Sequence, residues 1–260
     1  MTGQTALAVA HPGHELWLTE WIAQARPQVF ILTAGSRNGA SCSRVQASRR
    51  LAGTLGAQPG AVFGRHLDRE VYGWIMDGDA RPFLSLADEL ASAFAAAGVR
   101  RVVTDSWQLY NVVHDLWRLT VAAAAAIASE RVGAEVECLD YPVVPAAMGA
   151  RALGPERLRL QLSPEAVARK LALARAFPEI AQDLGEVLER GGEALLATET
   201  LHAARPLDEL LPAPGEAPLY EQYGEARVAA GLYSSVLRWR HVAPIAQRLG
   251  AALKVPAAAP

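Results

Sequence analysis

The chain reads as an α/β protein, a Rossmann-like three-layer sandwich with a mostly parallel sheet and a helical region towards its C-terminus. Three observations carry this reading. Apolar, β-branched runs alternate with segments of helical composition over residues 7–139, which is the pattern of βαβ units. Two loops that follow predicted strands carry histidines, and in an open α/β sheet the ligand crevice lies at the carboxyl ends of the strands. The length of 260 residues, 51% of them hydrophobic, is enough to build one large core.

In chain order, Leu7-Ala-Val-Ala10 predicts a buried strand that ends at His11-Pro12-Gly13-His14, where proline and glycine force a turn. Leu16 to Ala25 predicts a helix with Leu16, Trp17, Trp21 and Ile22 as its apolar positions, stopping before Pro27. Val29 to Thr33 is a second strand and Ala34 to Gly39 a loop; Cys42 to Leu55 is a helix closed by Gly56, and Ala61 to Phe63 a short third strand. The polar stretch Arg65 to Tyr72 reads as a connection of the kind that is solvated by default and also carries function. Leu84 to Ala97 is a helix ending at Gly98, Arg101 to Thr104 the fourth strand, Leu116 to Ser129 an alanine-rich helix and Glu135 to Leu139 a fifth strand. Ser163-Pro-Glu then predicts a helix start, with helices over residues 164–176 and 178–189. Residues 207–218, rich in proline and acidic groups, read as a linker before a helical stretch that holds Tyr220, Tyr223, Arg227, Arg240 and His241.

Composition narrows the classes of function. A formal net charge of -2 gives no electrostatic case for nucleic acid. No run approaches the roughly 18 uninterrupted apolar residues of a membrane helix, and the N-terminus lacks a basic segment of the signal-peptide kind. Cys42 and Cys138 form no metal or redox motif. There is no internal repeat and no glycine-rich phosphate cradle. The expectation is a cytoplasmic protein without membrane insertion that acts on a small-molecule substrate; a homo-oligomer is compatible with the sequence.

His11 and His14 belong to one turn, and His114 follows the fourth strand by a short loop and opens a helix. Two such loops can face each other across one crevice, and three imidazoles suit zinc, which commonly takes three protein ligands and leaves one position for chemistry. Iron, nickel or copper also suit three neutral nitrogens. The bland alternative is that one histidine caps the following helix while another is solvated. Asp115 stands beside His114, where it either orients an imidazole or caps the helix.

These residues resemble the PIG-L/LmbE family of zinc-dependent de-N-acetylases, which remove acetyl groups from N-acetylglucosamine-type conjugates. That family opens with a strand and Ala-His-Pro-Asp-Asp-Glu, where this chain has Ala10-His11-Pro12-Gly13-His14-Glu15. Its later metal-binding loop is of the His-Pro-Asp-His type, and here Asn111-Val-Val-His114 stands in that place. The loop Thr33 to Gly39, the helix from Arg44 to Gly56, Asp68-Arg-Glu-Val-Tyr72 and the region Tyr220 to His241 also look like family segments.

The resemblance implies an LmbE-like fold and a single domain over residues 1–260, with a metal-binding core over 1–145, a helical completion over 146–250 and a tail over 251–260. It implies His11, His14 and His114 as ligands of Zn2+ or another divalent transition metal, which would polarise an acyl oxygen and activate water. His14 stands where the family has a carboxylate ligand, Gly13 where it has its general base, and Asn111 where it has an assisting histidine. Glu15 and Asp115 are the nearby carboxylates for proton transfer or ligand orientation. Arg37, Asp68, Arg69, Tyr72, Tyr110, Asn111, Arg227 and His241 are candidates for contacting substrate. The expected activity is hydrolysis of an acyl group, N-acetyl first, from a sugar or sugar-like molecule. Because Gly13 and Asn111 replace proton-transfer groups, two alternatives stand beside it, a binding module without turnover and a metalloenzyme of other chemistry.

Overall fold

A computed structural model describes residues 4–35, 42–143, 153–177, 184–185, 188–189, 192–212 and 216–253. Among these residues seven strands form one sheet: β1 Gln4–Val9, β2 Gln28–Thr33, β3 Gln58–His66, β4 Val99–Asp105, β5 Glu137–Tyr141, β6 Glu156–Gln161 and β7 Thr198–Ala203. Their spatial order is β3-β2-β1-β4-β5-β7-β6. The first five strands are parallel, and β7 and β6 extend the sheet antiparallel beyond β5. The direction of winding therefore reverses between β1 and β4, and that reversal opens a crevice at the strands' carboxyl ends.

The helices described from end to end are α1 Thr19–Ala25, α2 Cys42–Thr54, α3 Asp68–Met76, α4 Arg81–Ala97, α5 Val112–Val132, α6 Pro164–Arg175, α7 Leu207–Leu210, α8 Leu219–Ala229 and α9 Trp239–Ala252. A 3-10 turn over His14–Leu18 leads into α1. The central strands are apolar at nearly every position because both faces of the sheet are covered. Ala6, Ala8 and Ala10 pack with Phe30, Leu32 and Val102 under α4, α5 and α9. Leu7 and Val9 face the other way, with Ile31, Val103, Leu139, Leu18 of the 3-10 turn and Trp21 and Ile22 of α1. Small side chains on one face of β1, and Ala123, Ala124 and Ala125 of α5, let helix and strand approach closely.

α5 is also the one helix among the described residues long and apolar enough to cross a membrane, and most of it is buried inside the protein. A helix that is apolar on all sides needs to be buried, and here the rest of the chain buries it. It begins at Val112, ahead of its alanine-rich part, because Asn111 caps it: Asn111 Oδ1 accepts the Val113 N–H at 2.9 Å. This takes the capping role expected as one option for Asp115.

Three stretches depart from the sequence reading, one of them the linker expected over 207–218, which opens with the helical turn α7. The polar stretch at 65–72 is the end of β3 plus the first turns of α3, and the region read as helical beyond residue 146 contributes β6 and β7. Most of the second helix expected there, over 178–189, lies outside the described residues. β7 is held by a buried ion pair: Lys170 Nζ of α6 lies 2.9 Å from Glu199 Oε1 and donates to Trp17 O at 2.7 Å. Glu199 in turn accepts the Glu20 and Trp21 N–H groups and the Thr19 hydroxyl, so one carboxylate closes the start of α1.

Removing Lys170 leaves a charge stranded in the interior. Lys170→Ala is expected to cost about 3–5 kcal/mol in urea denaturation, whereas Arg169→Ala, which breaks an exposed pair with Glu20, is expected to stay within about 0.5 kcal/mol.

Candidate metal centre

The carboxyl ends of the parallel strands bring polar residues to one place. β1 runs into His11 and His14, β2 ends at Thr33, β4 at Asp105 and β5 at Tyr141, while α5 carries His114 in its first turn. The turn after β1 is built on Gly13, whose φ is 103° and whose N–H is accepted by Glu15 Oε2 at 2.9 Å. That backbone region is open to glycine and costly for a side chain. Gly35, at φ 67°, serves the facing loop: a β-carbon there would meet Arg44 at 2.8 Å and Pro12 at 2.9 Å. The Arg44 guanidinium uses that space to donate to Pro12 O at 3.0 Å and Gly35 O at 3.2 Å, tying the two loops together.

Three imidazoles meet in the crevice. The ring centres of His11 and His14 are 5.3 Å apart, those of His11 and His114 5.2 Å, and those of His14 and His114 4.6 Å. Zinc–nitrogen bonds of about 2.0–2.1 Å and angles of about 90–110° put the centres of rings sharing one ion about 4.5–5.2 Å apart. The observed separations suit such a set. Among the described residues the set whose donor atoms all lie within 4.8 Å of one another is His14, Asp105 and His114, and His11 approaches His14 and His114 by its ring centre.

Two of the rings are held from behind. His11 Nδ1 lies 2.7 Å from Thr33 Oγ1 and 3.4 Å from Asp68 Oδ1. His14 Nδ1 lies 3.2 Å from Asp105 Oδ2, and Asp105 also accepts the Ala10 N–H at 2.8 Å and the Tyr141 hydroxyl at 2.7 Å. Burial lowers the pKa of His11, with Asp68 pulling the other way, and burial with His14 close by lowers that of His114 well below the ordinary value. Burial pushes Asp105 up, but His14, His114 and the Ala10 N–H outweigh it and hold the carboxyl at about 2. Burial thus favours neutral imidazoles at His11 and His114, the form in which histidine binds a cation.

The other residues singled out from sequence fall into distinct places. Glu15 is buried beneath the turn with its carboxyl raised by burial, and Asp115 is buried with Oδ1 accepting the Gln108 and Leu109 N–H groups at 2.8 and 3.2 Å. Both carboxylates hold backbone; Asp115 keeps Leu109 in its left-handed conformation, φ 55°. Asp68 reaches the cluster through His11, and Tyr72 stands one helical turn beyond it on the same side of α3. Tyr110 precedes the Asn111 cap and packs edge-on against Tyr223, ring centres 5.6 Å apart.

Arg69 and Arg227 are exposed, and His241 is spent on the start of α9, where its Nδ1 accepts the Arg238 N–H at 2.9 Å. Among the described residues no hydrogen bond or ion pair joins these three to the imidazoles. Arg37 lies outside the described residues. Sequence reasoning does not single out Asp105, Thr33, Tyr141 or Arg44. The signal for the first three is the one that marks His11, a polar residue closing an apolar strand.

No protein-family model and no curated protein matches the chain. Solved structures do. The A40926 pseudoaglycone deacetylase Dbv21 aligns with a TM-score of 0.53 at 17% identity, over 77% of this chain and 96% of that one. A deacetylase of the teicoplanin biosynthesis pathway aligns at 0.54 and 16% identity over 76% and 96%. A deacetylase–teicoplanin complex aligns at 0.53 and 16% identity over 76% and 97%. At these identities the likeness is one of fold.

The geometry of the turn and the burial of the rings each have a measurable consequence. Gly13→Asp is expected to destabilise the protein by about 1–3 kcal/mol in urea denaturation, because a side chain is forced into a glycine backbone. The metal-free protein should lose stability as pH falls below about 6.5, since the unfolded chain then protonates histidines that the folded chain keeps neutral. Melting temperatures read from pH 8 to 5 should be flat above that point and fall below it, and His114→Gln should flatten the slope.

Proposed function

We propose that the chain is a metal-dependent hydrolase of the PIG-L/LmbE kind that removes an acyl group, N-acetyl first, from a sugar or sugar-like small molecule. The observation that carries this is the meeting of His11, His14 and His114 rings, 4.6–5.3 Å apart, at the reversal point of the sheet. The fold shared with the teicoplanin and A40926 deacetylases supports the reaction class, and the motif Ala10-His11-Pro12-Gly13-His14-Glu15 supports the family.

In this reading His11, His14 and His114 hold Zn2+ or another divalent transition metal. Such an ion, when bound, supplies Lewis acidity that polarises an acyl oxygen and makes water a better nucleophile. The chain's own groups then divide the remaining work. Burial raises the Asp68 carboxyl, yet hydrogen bonds with His11 and Thr33 and the positive charge of Arg44 win and keep it low, so it is ionised at neutral pH. Its side chain is 18% exposed. Asp68 is therefore an acceptor that orients water or a substrate hydroxyl rather than a proton donor. Tyr72 and Tyr110 are the contacts for the body of the substrate, and Arg44 keeps the two loops at a fixed spacing.

A second reading has a specific observation in its favour. The family's base is replaced by a glycine at φ 103°, and Asn111 Oδ1 is engaged by the Val113 N–H. With both groups gone, amide cleavage lacks the proton transfer usually worth about a hundredfold or more. An O-acyl ester, whose leaving group needs less help, then becomes the better substrate, and a pocket that binds without turnover is the limit of the same trend.

The test is acetate release from a panel of N-acetylated and O-acetylated sugars by metal-free and Zn2+-loaded protein, beside His114→Ala and Asp68→Asn. The expected result is metal-dependent release that His114→Ala lowers by at least about a thousandfold and Asp68→Asn by about a hundredfold. Release from O-acetyl compounds alone would select the esterase form. No release from any of them by protein that holds its metal would overturn the hydrolase reading and leave the binding module.

A further inference from the structure

Three imidazoles would give an ion no anionic ligand, which raises the question of where its charge is balanced. Asp105 is the group placed to answer it. It closes β4, its side chain is 0% exposed, and it lies 3.2–3.4 Å from His14 Nδ1. Those distances fit two arrangements, a carboxylate that binds the ion directly beside His14 and a carboxylate that stands behind His14 and binds only the ring.

Three observations separate them. The Asp105 side chain is fully buried, so an ion bound directly to it would lie deeper than one among the rings, whereas the side chains of His14 and His11 are 14% and 13% exposed. Both Asp105 oxygens already accept hydrogen bonds, Oδ2 from Ala10 N at 2.8 Å and Oδ1 from the Tyr141 hydroxyl at 2.7 Å. The arrangement is repeated at His11, whose Nδ1 faces Thr33 Oγ1 and Asp68. Two rings of the trio thus turn Nδ1 to oxygen, and Nε2 is the atom left to each.

We propose that Asp105 is a positioning residue that fixes His14 with its proton on Nδ1 and presents Nε2 to the ion, so that a carboxylate acting through an imidazole replaces a carboxylate bound to the metal. This rests on the reading that one ion sits among the three rings. Ala10 N and Tyr141 are part of the device because they set the carboxylate's orientation. Its consequence is a site of three nitrogen donors whose charge is supplied from the layer behind them, and a carboxylate in that layer is ordinarily worth about 10–100-fold in metal affinity.

The experiment uses the full-length metal-free chain, with Zn2+ and Co2+ as probes. Wild type is expected to bind one Co2+ with a visible absorption band. Asp105→Asn is expected to keep that stoichiometry and band while Zn2+ affinity, read by chelator competition, falls about 10–100-fold. Tyr141→Phe should weaken binding by a few fold, again with the same band, because it loosens the carboxylate without removing it. A changed Co2+ band or complete loss of binding in folded Asp105→Asn would make Asp105 a direct ligand and overturn the proposal. Unchanged affinity, with only the melting temperature lowered, would make Asp105 a structural group and overturn it equally. Should Asp105→Asn fail to fold, Tyr141→Phe decides, and unchanged affinity there counts against the proposal. Failure of wild type to take up either metal would remove the metal reading itself, and this inference with it.

Discussion

The interaction on which the rest depends is the hydrogen bond from Ala10 N to the Asp105 carboxylate, which joins the carboxyl ends of β1 and β4 where the sheet reverses. At that point the connections of neighbouring strands leave in opposite directions, and a gap opens between them. A buried carboxylate there would be costly alone, yet Asp105 is met by a backbone N–H, the Tyr141 hydroxyl and the His14 ring. The same charge that needs those donors holds them in place. Strand ends, turn and imidazole are therefore fixed as one unit, at the floor of the crevice that the topology opens.

Around that floor the polar groups sort by depth. Glu15 and Asp115 are spent on backbone N–H groups of the two loops, so the local geometry around the histidines is determined by carboxylates aimed at the main chain. Asp68 and Thr33 stand behind His11 in the same relation that Asp105 has to His14. The deeper groups give rigidity, and in the proposed function the partly exposed Asp68 and, beyond it, Tyr72 are the groups that meet a ligand. A catalytic or binding constellation built this way is preorganised, because the rings and loops are already held in place by packing and hydrogen bonds.

Much of this is legible in the sequence, for identifiable reasons. Apolar runs that stop at a polar residue mark the parallel strands, and the rule that strand ends share a crevice puts His11, His14 and His114 together. What stays hidden depends on partners far along the chain. β6 shows its leucines at alternate positions, but its other face is charged and exposed at the sheet edge, which blurs the period. Glu199 in β7 looks like a surface residue until Lys170 of α6 is seen to bury with it. His241 and Arg227 look like ligand contacts by type and spacing, yet the first caps a helix and the second faces solvent. Asp105 obeys the strand-end rule and still escapes notice, because an acidic residue at a strand end is more often a turn former than a support for a ring.

The measurement that bears most directly on this account is X-ray absorption at the zinc edge of untagged protein loaded with one equivalent of Zn2+. Three imidazoles on one ion predict a first shell of nitrogen and oxygen at about 2.0–2.1 Å together with the outer-shell scattering of several histidine rings. One zinc per chain with that signature would support the shared site. A chain that retains no zinc, or a shell in which a single ring or none contributes, would contradict it.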